Sequence, residues 1–180
     1  WYTDQVLQED GLILKALQRL GLKAIRTWWD NPEIDYSQTK AVLIRTVWDY
    51  FHRFKEFSGW LKEVEVKTLL INPPEIIHWN IDKHYLIDLQ EKGINIPPTQ
   101  FAETGDPRSL SEFFIECNWE EAVLKPAISG AGRHTYRINK NNVSEYESLF
   151  QKLISEESMM LQEYQTNIIE HGEAALMVFN

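Results

Sequence analysis

The chain has 180 residues, 43% of them hydrophobic and 25% charged, which is enough to bury a sizeable core in one large or two small domains. A formal net charge of -9 at pH 7 excludes a general nucleic-acid surface, because phosphates are repelled unless basic residues cluster. The single cysteine, Cys117, has no internal disulfide partner, as suits a cytoplasmic protein, and neither a signal peptide nor a membrane-spanning apolar run is evident in a sequence that opens at Trp1.

Taken in order, Val6, Leu7, Leu12, Ile13, Leu14, Ala16, Leu17 and Leu20 fall at helical spacing, with Gly21 in the usual C-terminal position, predicting a covering helix. Leu22 to Thr27 and Ala41 to Ile44 are short apolar runs on either side of a polar, proline-bearing turn at Asn31 to Ser37. That is the strand-helix-strand rhythm of an open α/β sheet, expected to be parallel. The second run leads into IRTVWDY, which groups Arg45, Trp48, Asp49 and Tyr50. Ligands in open α/β sheets sit beyond the carboxyl ends of strands, where the two-pronged donor of an arginine suits a substrate carboxylate. The competing interpretation is a structural ion pair of Arg45 with Asp49 over a core Trp48. Phe54, Phe57, Trp60, Leu61 and Val64 form a helical core stripe.

Thr68 to Ile71 reads as a buried strand closed by Asn72, Pro73 and Pro74. Asn80 or Asp82 then starts a helix that carries Leu86, Ile87 and Leu89 inward and ends near Gly93. Lys83 falls in its first turn, where a cation opposes the helix dipole, and this breach of a local rule points to function. His78 and His84 lack convergent partners and read as surface or packing residues, not metal ligands. After a turn at Gly105, Asp106 and Pro107, Ser109 caps a helix with Glu112 as its box partner. Cys117 at its end has no base beside it in sequence.

The segment from Glu121 to Ile138 carries most of the chemistry. Ala122, Val123 and Leu124 form a central strand, with Lys125 where that strand leaves the core and Pro126 stopping the ladder. Ser129, Gly130, Ala131 and Gly132 make a loop of small side chains whose backbone N-H groups can close on phosphate oxygens. Arg133, His134 and Arg137 crowd the same loop before the chain returns to a strand through Tyr136 and Ile138. A tight hairpin with basic surface residues is the plainer alternative, since the Walker pattern is absent. Asn142 to Ser155 is a helix, Met159 to Leu161 a strand, and Glu173 follows a His-Gly turn to open an apolar strand from Ala174 to Phe179.

Lys-Pro after an apolar strand, a glycine-rich loop, and a later apolar strand running into LQEYQTNIIEHGEAALMVF resemble the ATP-grasp superfamily. Within it, IRTVWDY and LINPPEIIHWNIDKHYLIDL look closest to glutathione-synthetase-like proteins, including a cycloserine-biosynthesis ligase. The resemblance implies an α/β fold: an N-terminal open parallel-sheet (pre-ATP-grasp) domain over residues 1–95, then the first part of an ATP-grasp α+β module over 96–180. It makes Lys125 a phosphate lysine and Lys83, ahead of its helix and the Gly93 to Thr99 turn, the first ATP-contacting lysine. It also makes Ser129, Gly130, Ala131 and Gly132 the flap over the phosphates. Gln162, Glu163 and Tyr164 become the adenine hinge, mostly through backbone groups. Glu173 becomes the ribose carboxylate, with Glu170 as backup and a solvated strand end as the plain alternative. Arg133 steadies developing charge, and Arg45, Asp49 and Tyr50 become substrate-side candidates.

The implied activity is an ATP-dependent carboxylate-amine ligase acting through an acyl phosphate on small-molecule acids and amines, with ATP and Mg2+ as cofactors. No metal ligand is assigned within the sequence, because the superfamily's magnesium carboxylates lie on later strands than it reaches. The stretch as written is therefore expected to be truncated at its C-terminus and inactive alone. The rival interpretations are a nucleotide-binding regulatory protein without catalysis and a plain structural domain. A homodimer is left open, and no nucleic-acid or membrane partner is expected.

Overall fold

The computed structural model describes residues 2–172 and 174–176. These fall into two compact units, Trp1–Trp79 and Asn80–Asn180. The division comes before residue 95 because the stretch after Trp79 is tied into the second unit, where Lys83 N donates to Ala127 O at 3.0 Å.

In the first unit, α1 spans Tyr2–Arg19. It ends with Leu20 N donating to Ala16 O, Gly21 N to Gln18 O and Leu22 N to Leu17 O. Gly21 sits at φ +79°, the left-handed conformation that stops a helix at low steric cost. Residues 22–27, expected as a strand, have no regular structure. Leu22 and Ile25 are exposed, and Ala24 N closes locally on Leu22 O, so the run is apolar without being buried or laddered. In place of a crossover helix before the next strand there is a single 3-10 turn, Tyr36–Gln38, with the Asp35 carboxylate accepting from Ser37 N.

The parallel pair is β1 (Ala41–Leu43) with β2 (Leu69–Ile71), in register Ala41 to Leu69 and Leu43 to Ile71. The crossover between them carries α2 (Phe54–Glu65), which buries Phe57, Leu61 and Val64 as its spacing predicts. Trp29 packs edge-on to Phe57 at 5.4 Å and to Trp60 at 5.7 Å, so aromatic rings fill this small core. Then α3 (Pro74–Asn80) runs to the boundary of the unit.

The second unit opens with α4 (Tyr85–Glu91) and is built on a four-stranded antiparallel sheet. Its strands are β3 (Thr99–Ala102), β4 (Glu121–Pro126), β5 (Tyr136–Asn139) and β6 (Met159–Glu163), in the order β3-β6-β4-β5. Two helices, α5 (Leu110–Cys117) and α6 (Glu147–Ile154), supply Leu110, Phe113, Phe150 and Ile154 to the core. There they join Ala122, Leu124, Ile138, Met159 and Leu161 from the strands. The capping box is formed: Ser109 Oγ accepts from Glu112 N and the Glu112 carboxylate accepts from Ser109 N. The helix expected from Asn142 begins as a 3-10 turn, Val143–Tyr146, before α6 takes over. A short α7 (Asn167–His171) follows β6. Residues 174–176 have no regular structure, while Glu173 and the rest of the strand expected through Phe179 lie outside the described residues.

Strand alternation positions the site. Ala122, Leu124 and Pro126 are buried, whereas Glu121, Val123 and Lys125 occupy the other face of β4. The residue that the sequence places at the strand end thus stands on the sheet face opposite the core.

Candidate functional site

Two lysines and one loop make up the site in the second unit. Lys125 projects from β4 opposite Met160 of β6, and its ammonium reaches Gln162 Oε1 at 3.4 Å. Gln162 is itself held by Nε2 donating to Thr99 Oγ1 at 2.9 Å, and Thr99 Oγ1 donates to Pro97 O at 2.8 Å. The side chain of Gln162 therefore fixes a phosphate-lysine candidate, a role beyond the backbone contribution expected of it. Burial lowers the Lys125 pKa.

Lys83 precedes α4, whose lead-in turn is stabilised by the Asp82 carboxylate accepting from His84 N at 3.0 Å. Its ammonium donates to Ser129 O at 2.9 Å and Ala127 O at 3.2 Å, at the base of the small-residue loop. Burial, and after it the like charges of Lys125 and Arg133, push Lys83 down to about 8, with Asp82 opposing. Cations thus converge on one partly buried spot, the electrostatic condition that a bound polyanion relieves. The chemistry of the donor set fits a nucleotide's phosphates: two ammoniums from different elements beside a loop of small residues.

The loop is closed by backbone bonds from Arg133 N to Gly130 O and from Thr135 N to Gly132 O, with Ser129 Oγ donating to Arg133 O at 3.2 Å. Ala131 and Gly132 both have positive φ, 52° and 72°. At Gly132 no atom lies within 4 Å of where a Cβ would stand, so the glycine serves backbone conformation and not close packing. Arg133, expected to steady developing charge, has its side chain 18% exposed and paired with Glu157 through Nη1 to Oε1 at 2.8 Å, and it also donates to Ile128 O at 3.1 Å. Those contacts anchor the loop's base to the turn before β6.

At the hinge, Glu163 N donates to Pro98 O at 2.9 Å and Tyr164 N to Glu121 O at 3.0 Å. The Glu163 carbonyl accepts from Gln165 Nε2 at 3.1 Å. The Tyr164 ring lies under Arg137, 3.9 Å from guanidinium carbon to centroid, while Arg137 grips Glu121 with two bonds of 2.7 and 2.8 Å. Glu173, the ribose candidate, lies outside the described residues, and its backup Glu170 is exposed on α7. His84 bridges Asp82 and Glu103 and stacks on Phe101 at 4.0 Å between centroids. Among the described residues, no group of three or more His, Cys, Asp or Glu side chains is placed to hold a metal ion, and no helix is long and apolar enough to cross a membrane.

In the first unit the substrate-side candidates separate. Asp49 Oδ1 accepts from Trp29 Nε1 at 2.9 Å and its other oxygen faces Arg53 at 3.4 Å. Tyr50 packs against Phe51 and Phe57, and burial raises the pKa of its hydroxyl. Arg45 pairs with neither: its Nε donates to Asp10 Oδ1 at 3.4 Å. The alternative of an Arg45 to Asp49 ion pair over a core Trp48 does not hold, since Trp48 is also 46% exposed. Asp10, Arg26 and Thr46, none of them singled out from sequence, share this cluster with Arg45. The signal for Asp10 was an acid one helical turn from both Val6 and Leu14, inside the apolar row of α1.

Residues 2–72 match the family described as the N-terminal domain of the D-cycloserine synthetase DcsG. The cycloserine biosynthesis protein DcsG of Streptomyces lavendulae is 28% identical over 172 residues, covering 93% of this chain and 58% of that protein. The crystal structure of D-cycloserine synthetase DcsG superposes with a TM-score of 0.83 at 24% identity, again over 93% of this chain and 58% of that one. The ATP-grasp ligase PsnB, complexed with precursor peptide PsnA2 and AMPPNP, aligns over 70% of this chain and 45% of its own, with a TM-score of 0.43 and 22% identity. The chain thus spans 58% of the length of DcsG, the curated relative it matches.

Proposed function

We propose, from a chain that is cycloserine-biosynthesis-ligase-like in sequence and fold, that it is the nucleotide-gripping part of an ATP-dependent carboxylate-amine ligase working through an acyl phosphate. The single observation that carries this reading is the convergence of Lys83 and Lys125 beside the Ser129 to Gly132 loop. Lys83 is driven down to about 8 by burial and by the charges of Lys125 and Arg133. Like charges at close quarters destabilise a site until a counter-anion arrives.

Lys125, held by Gln162, and Lys83, held on the carbonyls of Ala127 and Ser129, bind and orient the phosphates. The backbone of Ser129, Gly130, Ala131 and Gly132 folds over them and excludes water. Gln162, Glu163 and Tyr164 line the adenine end, and Glu173 takes the ribose diol. Because the peptide donors of Glu163 and Tyr164 are engaged by Pro98 and Glu121, adenine is recognised there through the remaining groups and the neighbouring side chains. Arg133, anchored by Glu157, holds the loop in place and contributes positive field at the transferring group.

When bound, ATP would supply the phosphoryl group and Mg2+ would neutralise phosphate charge. In the overall reaction a carboxylate oxygen takes the γ-phosphoryl group and ADP departs; an amine then attacks the acyl carbon and inorganic phosphate leaves. Arg45 is the substrate-side candidate with a cation to offer the acid, because Asp49 is a carboxylate already accepting from Trp29 and Arg53 and Tyr50 packs against Phe51 and Phe57.

The test is trapping. The full-length protein, of which this stretch is expected to be a part, is incubated with Mg-ATP, a panel of small carboxylic acids and hydroxylamine, which intercepts an acyl phosphate as a hydroxamate. Acid-dependent hydroxamate with stoichiometric ADP supports the ligase; ATP binding with no hydroxamate from any acid favours a nucleotide-binding protein without catalysis.

A further inference from the structure

The first unit holds a charge cluster that the nucleotide grip does not use. Asp10, on the inward face of α1, has a side chain only 7% exposed. It accepts three hydrogen bonds: from Arg26 Nε to Oδ2 at 2.9 Å, from Thr46 Oγ1 to the same oxygen at 2.8 Å, and from Arg45 Nε to Oδ1 at 3.4 Å. Burial pushes its carboxyl pKa up, but the bonds from Arg26, Thr46 and Arg45 outweigh this and hold it below the ordinary value.

One arginine would neutralise this carboxylate. Two are present, so the cluster carries a net positive charge in a chain whose formal net charge is -9. Both use only the Nε edge on Asp10. Among the described residues, the terminal amino groups of Arg26 and Arg45 make no hydrogen bond, and the side chains are 46% and 40% exposed. A guanidinium anchored through Nε keeps its two amino groups in a fixed plane, the geometry that grips a planar anion with paired donors. Arg45 lies two residues past Leu43, the last residue of β1, so the cluster stands beyond the carboxyl end of the parallel pair, where open α/β sheets take their ligands.

We propose that Arg26 and Arg45 form a two-arginine site for the carboxylate of a small acid, with Asp10 as the positioning residue that orients both guanidiniums. The site rests on the ligase reading for its purpose and names one anchor of its acid substrate. Arg26 is the specificity residue, since it supplies the second plane of donors that separates a carboxylate-bearing ligand from its neutral amide.

The test reads binding apart from ligation. The Nε-H signals of Arg26 and Arg45 are followed by 1H-15N NMR in the 15N-labelled protein during titration with acetate, glycine and β-alanine. Acetamide serves as the neutral control, and sodium chloride and inorganic phosphate as competing anions. Saturable shifts of both signals with a carboxylate, absent with acetamide and chloride, are expected, and Arg26→Lys is expected to weaken the binding about tenfold while leaving the backbone spectrum folded. Asp10→Asn, if folded, is expected to shift both Nε-H signals before any ligand is added and to weaken binding similarly. Phosphate shifting the signals as tightly as every carboxylate overturns the carboxylate assignment. Signals that do not move, or that move equally with chloride or in Arg26→Lys, overturn the site. Hydroxamate formation with an unchanged KM for the acid in Arg26→Lys would overturn the site and leave the ligase standing; saturable carboxylate binding without hydroxamate would do the reverse.

Discussion

The proposed nucleotide grip would depend on pH through Lys83. Its ammonium sits at about 8 in the free protein against an ordinary 10.5, because burial and then the charges of Lys125 and Arg133 disfavour the protonated form. A polyphosphate brought against it favours that form again, so ATP binding above pH 8 must take up a proton. Uptake is expected to be near zero at pH 6.5, about half a proton at pH 8 and to approach one at pH 9, and affinity should fall toward tenfold per pH unit across that window. If the bound value returned fully to 10.5, the swing would amount to roughly 3 kcal/mol; partial exposure of Lys83 to solvent reduces this to about 1–2 kcal/mol. The assay is titration calorimetry in two buffers of different ionisation heat at each pH, with Lys83→Arg as the control that keeps the charge but cannot lose its proton. Equal proton uptake by the protein and by Lys83→Arg at pH 8 to 9 would refute the reasoning. The same lowered value makes the free protein gain stability as pH rises from about 8 to 10.5, since over that range the unfolded chain binds more protons than the folded one.

Other perturbations have equally definite outcomes. Ser109→Ala removes the Oγ that accepts from Glu112 N and donates to the Glu112 carboxylate while keeping the backbone half of the box, and is expected to cost about 1 kcal/mol in chemical denaturation. Phe150→Ala empties a fully buried position packed edge-on to Phe113, and is expected to cost about 3–5 kcal/mol by the same assay. Glu157→Gln removes the anion that pairs with Arg133, and amide exchange at Arg133 and Thr135, which close the loop, is expected to accelerate with little change in the α5 and α6 amides.

What could be read from the sequence depended on how local the cause was. The β4 alternation and the place of Lys125 were legible because Ala122, Leu124 and Pro126 are buried on one face by the strand's own period. The Ser109 and Glu112 box and the Gly21 stop were legible for the same reason, each being written within one helical turn. The run from Leu22 to Thr27 has the apolar content of a strand without its burial: Leu22 and Ile25 face solvent and no described strand pairs with them. Arg133 could be placed near the loop but not matched with Glu157, which arrives from the far side of α6. An Arg45 to Asp49 pair is what proximity in sequence suggests, but Arg45 bonds Asp10, which reaches it only after α1 folds back. Tertiary pairing of charges is set by the packing of elements, and local pattern carries little of it.

Whether Lys125 grips a nucleotide's phosphates is tested most directly by calorimetry of Mg-ATP binding to the full-length protein and to its Lys125→Ala variant. Saturable binding that weakens at least about tenfold in the variant is expected, in keeping with the loss of a charge-assisted phosphate contact, while the variant keeps its fold. Equal affinity in both proteins, or no binding in either, would contradict it.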